Sequence, residues 1–397
     1  MRTELFSDAR ALTAELGDPG PVHRITLPDG MPSWLVTGYH EVRAALSDPR
    51  VLRSVEHAAP ELRGYFGLAG DDFVLSRHML FADPPDHTRL RRLVVKAFTP
   101  RRVELLRPRI SELVDELLDE LSGRSEADLV AELAQPLPAA VICELLGIPA
   151  GDRPEFLGHA DVLIGVNAST EPGDLIQTGQ WFDRYFTELI ADRRRRPGSD
   201  LISGLLAAQD NDDRLTDIEV RSNSFLLLNA GFETTVNLIA NTLLLILTHP
   251  DALADLYADP TLVPAAVEEA LRVDSPVSTI TYRFAAEPLT IGGVHIAAGE
   301  HIAVSLPAAN LDEARFRDPH TVHIGRSDNH HVSFGFGMHY CVGAQLARLE
   351  GQLAVGRLLA RFTDLTLSTP VSQLRWKPSF IVHHLHELPV TYKEMLP

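Results

Sequence analysis

The chain has 397 residues, 45% of them hydrophobic and 23% charged, which is enough to bury a large core. Its formal net charge of −18 argues against free nucleic acid as a partner, because an acidic surface repels phosphates. Its two cysteines, Cys143 and Cys341, are too few and too far apart for a disulfide framework, which favours a cytoplasmic location.

The elements are predicted from hydrophobic periodicity. Residues 1–16 are amphipathic, and neither a signal peptide nor a membrane anchor is expected there. Ile25–Leu27 and Trp34–Val36 flank a Pro-Asp-Gly turn and predict a β-hairpin. α-Helices are then predicted over Tyr39–Ser47, Asp86–Phe98, Arg102–Leu121, Pro136–Leu146, Asp174–Arg195, Thr216–Thr248 and Pro264–Val273.

Short β patterns follow between Thr281 and Val304, including Leu289–Ile291 and Val294–Ile296. A last long helix is predicted from about Cys341 to Phe362. Many helices with a few short hairpins indicate a mainly α (α+β) fold. No linker, internal repeat or break in composition divides the sequence, so a single domain over residues 1–397 is expected.

The predicted helix Thr216–Thr248 is long enough to span a membrane. It starts with a capping box, in which Thr216 precedes Glu219 by three residues. A carboxylate at its centre, Glu233, is costly in lipid, so a buried central helix is the better interpretation. A buried carboxylate in turn requires a functional or structural reason.

The second cysteine lies in a glycine-rich loop just before the last helix, Phe334-Gly335-Phe336-Gly337-Met338-His339-Tyr340-Cys341-Val342-Gly343. Free backbone N–H groups and the helix dipole at such a position stabilise a thiolate. The glycines permit a tight turn and the close approach of a flat partner. The pattern therefore indicates a cysteine that binds a soft metal centre.

Three other interpretations stay open on the residues alone. Cys341 could be a structural loop cysteine, as Cys143 is interpreted to be a small buried hydrophobe. It could bind zinc with His330, His331 and His339, although zinc would require further ligands at the usual spacing. It could also be the nucleophile of a hydrolase with His339 as base, although no oxyanion-binding arrangement is evident.

The cysteine loop resembles the haem-binding loop of the cytochrome P450 family, Phe-x-x-Gly-x-x-x-Cys-x-Gly with a His two positions before the Cys. Every fixed position matches, at Phe334, Gly337, His339, Cys341 and Gly343. The resemblance implies haem b as the cofactor and Cys341 as the axial thiolate ligand of its iron. Electron donation from that thiolate favours O–O cleavage. The resemblance extends from about residue 34 to the end of the chain.

A second match lies in the central helix, at Ala230-Gly231-Phe232-Glu233-Thr234-Thr235. It is similar to the family's oxygen-activation motif, with Glu in place of the commoner Asp. The resemblance implies two catalytic residues: Thr234, which would hold dioxygen and a proton-donating water, and Glu233, which would connect that position to solvent. On the residues alone, the stretch could also be a polar break in a core helix.

Two further groups of residues follow the family order. Glu269 and Arg272 share one helix face and resemble the family's invariant structural pair, to which Arg326 would add a third member. Haem carries two propionates that need buried donors and positive charge. The resemblance assigns that role to four residues, each of which could by itself be a surface charge: His87, Arg91, Arg283 and His339.

The resemblance implies a single-domain cytochrome P450 fold and a monooxygenase that hydroxylates or epoxidises its substrate with O2. Because no flavodoxin-like or ferredoxin-like extension is recognised, ferredoxin and ferredoxin reductase are the expected electron donors. A cytoplasmic monomer with no membrane and no nucleic-acid partner is expected. The alternative is a haem protein that binds a ligand without turnover, and an intact Glu233-Thr234 pair argues against it.

A bulky hydrophobic substrate is expected, such as a macrolide, another polyketide or a steroid. The segments expected to contact it are Gly64–Phe81, Leu163–Asn167, Leu226–Ala230, Val277–Ile280 and Phe380–Val382. Helix geometry also predicts a basic, solvent-facing surface that would dock an acidic ferredoxin. It comprises Arg89, Arg92, Lys96, Arg101 and Arg102.

Overall fold

The computed structural model describes residues 1–17, 20–66, 76–164, 172–210 and 213–395. Helices predominate in these ranges, which confirms the prediction of a mainly α fold. The α-helices are α1 (Ala9–Leu16), α2 (Tyr39–Ser47), α3 (Asp86–Ala97), α4 (Pro100–Asp119), α5 (Pro136–Leu146), α6 (Arg153–Ile164), α7 (Pro172–Arg195), α8 (Leu201–Ala207), α9 (Asp217–Thr248), α10 (Pro250–Ala258), α11 (Val263–Val273), α12 (Leu306–Asn310) and α13 (Ala344–Arg361).

The strands are short and form small sheets beside the helices. They are β1 (Val22–Thr26), β2 (Pro32–Val36), β3 (Val51–Leu52), β4 (Glu126–Asp128), β5 (Gln209–Asp210), β6 (Asp213–Arg214), β7 (Thr279–Ile280), β8 (Phe284–Ala285), β9 (Leu289–Ile291), β10 (Val294–Ile296), β11 (Ile302–Ser305), β12 (Phe362–Leu367) and β13 (Pro389–Glu394). A four-stranded sheet has the order β1-β2-β11-β7, and a three-stranded sheet has the order β12-β13-β4. Strands β2 and β11 run parallel.

The predicted N-terminal hairpin is confirmed as β1 and β2. Val22 pairs with Val36 and Thr26 pairs with Pro32, in an antiparallel register. The turn needs its glycine, because Gly30 has a φ of +90° that other residues rarely adopt. The side chain of Asp29 accepts a hydrogen bond from the backbone N–H of Met31 at 3.0 Å, which closes the turn.

Helix α9 is the central helix that the sequence predicts. Thr216 and Glu219 form both hydrogen bonds of the capping box. Every residue from Thr235 to Ile246 is buried, and α9 packs against α5, α11 and α13. In the described ranges α9 alone is long and apolar enough to cross a membrane, and 72% of its apolar window is buried inside the protein. Such burial is that of a core helix.

The predicted boundaries of several helices were wrong by one to three residues, and two of these differences have a local cause. Helix α4 begins at Pro100 rather than at residue 102, because Thr99 accepts a hydrogen bond from a backbone N–H of the first turn and proline suits the first helical position. Helix α13 begins at Ala344, so Cys341 lies three residues before it rather than in it. The backbone N–H of Cys341 instead donates to the carbonyl oxygen of Phe334 at 2.9 Å.

The predicted triad of Glu269, Arg272 and Arg326 forms. Arg272 is completely buried and donates two hydrogen bonds to the carboxylate of Glu269, at 2.9 and 2.7 Å. It also donates to the carbonyl oxygen of Pro319 at 2.6 Å. The Nε of Arg326 lies 3.3 Å from Oε1 of Glu269. These bonds tie α11 to the segment that leads into the cysteine loop.

The substitution Arg272→Met is therefore expected to lower the free energy of unfolding by about 3–5 kcal/mol, because it leaves the buried carboxylate of Glu269 without its main partner. Urea unfolding of the holoprotein measures this change. Asp115→Asn is the control, because it breaks an exposed pair with Arg357 that contributes about 1 kcal/mol or less. Equal effects of the two substitutions would contradict the prediction.

Candidate active site

A cavity of about 520 Å³ lies between the central helix and the cysteine loop. The side chains of Thr234 on α9 and Cys341 in the loop both line it. Most of the remaining wall is apolar, with Leu226, Val277 and Ile280 among its residues. The two motifs that the sequence singled out therefore face the same cavity.

Glycines shape the cysteine loop for close packing. Gly337 has a φ of +73°, and a Cβ atom there would lie 2.5 Å from the carbonyl oxygen of Leu46. Another residue at this position would meet both backbone strain and a clash. Gly335 also has a φ of +73°. The loop is thus held against α2, and this contact fixes the path of the chain into Cys341.

The electrostatics around Cys341 differ from the sequence prediction. Cys341 is exposed at the cavity surface, but desolvation by the surrounding protein raises the pKa of its thiol, while the backbone N–H groups of Gly343 and Ala344 and the charges of Arg91 and Arg348 act in the opposite direction. The backbone N–H groups at the helix start therefore favour the thiolate, as predicted, but do not outweigh the cost of desolvating its charge. Metal coordination deprotonates a thiol outright and would overcome that cost.

Basic side chains gather beside the cysteine. Arg91, Arg283 and His339 line the cavity, and the ring of His87 lies 4.2 Å from the ring of His339, centroid to centroid. Arg91 donates to the carbonyl oxygen of Tyr340 at 2.5 Å. The four residues predicted to hold propionates are thus brought together by helix α3, the connection between β7 and β8, and the cysteine loop.

Arg53, which the sequence analysis missed, joins this group. It lines the same cavity, is 5% exposed, and donates its backbone N–H to Asp83 at 2.8 Å. No periodic pattern or spacing marks it in the sequence. Its proximity to Asp83, just ahead of the basic helix α3, is visible only in the structure. We call Arg53, His87, Arg91, Arg283 and His339 the basic cluster.

The basic cluster has the properties of an anion site. Nε of Arg53, Nε of Arg283 and Nε2 of His87 are buried and have no hydrogen-bond partner in the described ranges. Burial and the neighbouring positive charges lower the pKa of Arg53 to about 9 and that of His87 to about 4. Such unpaired donors need an anionic partner, and the two propionates of haem fit this requirement.

The acid and the alcohol of the central helix point in different directions. The hydroxyl of Thr234 donates to the carbonyl oxygen of Ala230 at 2.6 Å, and Thr234 lines the cavity. Glu233 is not among the described residues that line it. Its Oε1 instead lies 3.2 Å from Nδ1 of His384, a residue that the sequence analysis did not identify. These two residues are 151 positions apart, so no local pattern links them.

The predicted substrate contacts are met in part. Phe81, Leu226, Val277, Ile280 and Ile381 line the cavity and fall in four of the five predicted segments. The stretches 67–75 and 165–167, which belong to the first and second segments, lie outside the described residues. Helix α5 contributes a part of the wall that was not predicted from the sequence, namely Pro138, Val141, Ile142 and Leu145.

The zinc interpretation finds no support in the described ranges, which contain no group of three or more His, Cys, Asp or Glu side chains arranged for a metal. His331, one of the proposed ligands, lies 3.0 Å from the carboxylate of Glu268. His339 packs on His87 in the basic cluster.

The predicted basic surface on α3 and α4 is smaller than expected. Arg89 pairs with Glu219 and Asp213, and Arg102 is half-buried and donates to the carbonyl oxygen of Ala97 at 2.8 Å. The prediction that these two arginines are exposed to solvent was wrong. Helix α3 packs against α8, and the first turn of α9 supplies the Glu219 that pairs with Arg89. The exposed residues of the set are Arg92, Lys96 and Arg101.

Comparisons with known proteins agree with this geometry. The family described as Cytochrome P450 matches residues 177–386. Cytochrome P450 107B1 of Saccharopolyspora erythraea is 48% identical over 93% of this chain and 92% of its own length. Vitamin D(3) 25-hydroxylase of Pseudonocardia autotrophica is 43% identical over 95% of this chain and 92% of its own length. Among solved structures, the Bacillus subtilis 168 bacillaene polyketide synthase cytochrome P450 PksS has a TM-score of 0.91 and 38% identity, covering 98% of this chain and 97% of its own.

The basic cluster generates a prediction about cofactor retention. Arg53→Gln is expected to speed the loss of haem by roughly ten-fold or more, because a hydrogen bond to a charged group is removed. The rate of haem transfer to an apoprotein acceptor measures it. Arg24→Gln, which changes an arginine with a 59% exposed side chain, is the control and should leave the rate unchanged. A rate for Arg53→Gln equal to that of the control would argue against this role.

Proposed function

Because the chain belongs to the cytochrome P450 family, we propose that it inserts one atom of O2 into a bulky apolar molecule bound between Cys341 and Thr234. The enzyme class, haem-dependent monooxygenase, follows from family membership. The overall reaction is R–H + O2 + two electrons + two protons → R–OH + H2O. The observation that carries the proposal is the single cavity that Cys341 and Thr234 both line.

Haem, when bound, supplies the activation of O2 and the transfer of one oxygen atom. Cys341 is proposed to be its axial ligand and the basic cluster to hold its propionates. The protein's own contribution is to orient the cofactor, to exclude water from the mainly apolar cavity and to deliver protons at a defined position. These roles require side chains that are held in place before the reaction begins.

Thr234 is proposed to deliver protons inside the cavity. Its hydroxyl proton is engaged with the carbonyl oxygen of Ala230, so the hydroxyl oxygen is left to accept a hydrogen bond. To donate into the cavity, the hydroxyl has to release that bond and take a proton-donor partner of its own. Glu233, the next residue along the helix, is proposed to resupply protons from the side that faces away from the cavity.

The substrate is proposed to be a macrolide, another polyketide or a steroid. Part of the cavity wall is apolar, formed by Met79, Phe81, Leu226 and Ile381, and Asn229 adds a polar side chain from the central helix. Such a lining favours a large carbon skeleton with few polar groups. The relatives support this class, since the name of one refers to vitamin D(3) and that of another to a polyketide synthase. Both hydroxylation and epoxidation are consistent with the proposal.

A panel of macrolides, steroids and fatty acids, scored by the shift of the haem absorption band, would identify the substrate. Turnover of the best binder with surrogate electron donors then separates the proposed enzyme from a haem protein that only carries a ligand. Binding without any oxidised product would favour the carrier.

The assignment of the iron ligand is tested by Cys341→Ser. The wild-type protein should show the strongly red-shifted absorption band of reduced, CO-bound thiolate haem, and the variant should lose that band and nearly all oxygenation. The reason is that a serine hydroxyl cannot donate electron density as a thiolate does. Cys143→Ala is the control, because Cys143 is buried in α5 away from the cavity lining. Normal activity in Cys341→Ser would refute the assignment.

Electrons are proposed to come from a ferredoxin and its reductase. The protein is proposed to act as a monomer in the cytoplasm. The supporting feature is the exposed basic patch of Arg92, Lys96 and Arg101, which stands out in a chain of net charge −18. The patch lies on α3 and α4, and α3 also carries His87 and Arg91 of the basic cluster. An acidic partner docked there would approach the cofactor side of the protein.

Charge reversal at this patch tests the docking site. Arg101→Glu should slow ferredoxin-supported turnover while peroxide-driven turnover stays nearly unchanged, because only the first needs the partner. The rate of ferredoxin-supported turnover should also fall as the salt concentration rises. At about 0.1 M ionic strength, attraction between charges is screened over about 10 Å. Arg195→Glu, a change at an arginine with a 70% exposed side chain on α7, is the control. Loss of both kinds of turnover in Arg101→Glu would place the docking site elsewhere.

A further inference from the structure

Two consecutive histidines near the C-terminus each face an acid. Nδ1 of His384 lies 3.2 Å from Oε1 of Glu233 on α9, and Nδ1 of His383 lies 2.6 Å from Oδ1 of Asp274, just after α11. One segment of chain thus contacts an acid on α9 and an acid just after α11 through two similar contacts between a histidine ring and a carboxylate. Only one of the two acids neighbours the alcohol that lines the cavity.

The pair of His384 and Glu233 is inside the protein. The side chain of His384 is 6% exposed and that of Glu233 is 17% exposed, whereas those of His383 and Asp274 are 16% and 22% exposed. A carboxylate in this position carries a desolvation cost unless a donor stabilises it. Among the described residues, His384 provides the side-chain donor for Glu233.

The loop that carries His384 does not need this contact to stay in place. The backbone N–H of Ser278 donates to the carbonyl oxygen of Ile381 at 2.8 Å, and the N–H of His383 donates to the carbonyl oxygen of Pro276 at 3.0 Å. The ring of His383 also stacks on Trp376 at a centroid distance of 3.6 Å. The backbone N–H of Lys377 donates to the carbonyl oxygen of His384 itself at 2.9 Å. Because these bonds anchor the chain before and at His384, the side-chain contact with Glu233 is available for a role other than holding the chain.

We propose that His384 is a positioning residue for oxygenation, which holds the carboxylate of Glu233 in the orientation needed to resupply protons to Thr234. This inference rests on the proposed function of the Glu233-Thr234 pair. The hydrogen bond engages Oε1 alone, so Oε2 remains to exchange protons. Without His384, the carboxylate turns to other rotamers and proton delivery becomes slow or misdirected.

Misdirected protons have a measurable consequence. Oxygenation uses O2, two electrons and two protons to make R–OH and water from R–H. When protons arrive at the wrong position, the same inputs release hydrogen peroxide by O2 + two electrons + two protons → H2O2, and the substrate is left unchanged. The ratio of product to peroxide, called coupling here, therefore reports on the position of the proton donor.

Variants at position 384 separate the hydrogen bond from the ring. His384→Leu removes the donor, whereas His384→Asn places an amide N–H close to the position of Nδ1. His383→Leu is the matched control, since it removes the neighbouring contact with an acid that lies away from the cavity. Coupling is measured with surrogate ferredoxin and reductase, using the panel compound that gives the largest absorption shift with the wild type. The CO-bound spectrum and the substrate dissociation constant are measured for every variant.

His384→Leu should lower coupling by roughly ten-fold, the factor expected when a hydrogen bond to a charged group is lost. The CO-bound spectrum and substrate affinity should not change, and His384→Asn should recover most of the coupling. In a Glu233→Gln background, His384→Leu should add no further loss, because His384 acts through Glu233.

Three results would overturn the proposal: normal coupling in His384→Leu, an equal loss in His383→Leu, or a further loss in the Glu233→Gln background. Absence of the thiolate-haem band from the wild-type protein would instead reject the proposed function itself. An intact band together with normal coupling in Glu233→Gln would reject the role of Glu233, and with it the basis for His384.

Discussion

The structure depends on how the charges of the basic cluster are balanced, since three of its five residues, Arg53, His87 and Arg283, are buried. Burial disfavours the charged forms of Arg53 and Arg283, whose pKa values fall to about 9 and about 10, and repulsion between neighbours adds to the cost. The carboxylate of Asp83 offsets part of that cost, since it acts on Arg53, His87 and Arg283 in the opposite direction. A ligand that carries two carboxylates would supply the rest. Haem bound in this way would therefore stabilise the folded state of the residues that form the cavity wall.

The same constraint explains why the scaffold around the cysteine is rigid. In the proposed function, the loop has to present Cys341 as the iron ligand while the basic cluster holds the propionates. Glycines with positive φ set the path of the loop, and the buried triad of Glu269, Arg272 and Arg326 braces the segment before it. The backbone N–H of His323 also donates to Glu269 at 2.9 Å. A buried ion pair contributes little net stability, so its value here is geometric.

The sequence predicted what depends on local patterns and failed where distant residues meet. Helices α2 and α5 begin and end as predicted, because their apolar periodicity and their flanking residues agree. Four of the five basic-cluster residues were predicted, since they fall in recognised motifs. Arg53 was missed because it has no motif, and His384 because its partner is 151 positions away. The helix start at Ala344 was missed because glycines next to a cysteine leave the boundary open.

In the proposed mechanism, substrate contact and proton delivery are linked through one short stretch of chain. Ile381 lines the cavity, and His384, three residues later, holds Glu233 in the proposed role. Val382 forms an antiparallel β-bridge with Val277, which also lines the cavity. A substrate that presses on Ile381 therefore acts on the same loop that sets the position of His384. Packed interiors transmit small displacements. The fit of a substrate in the cavity should therefore affect how efficiently it is oxidised. A poorly fitting molecule should be oxidised with a larger loss of electrons to hydrogen peroxide.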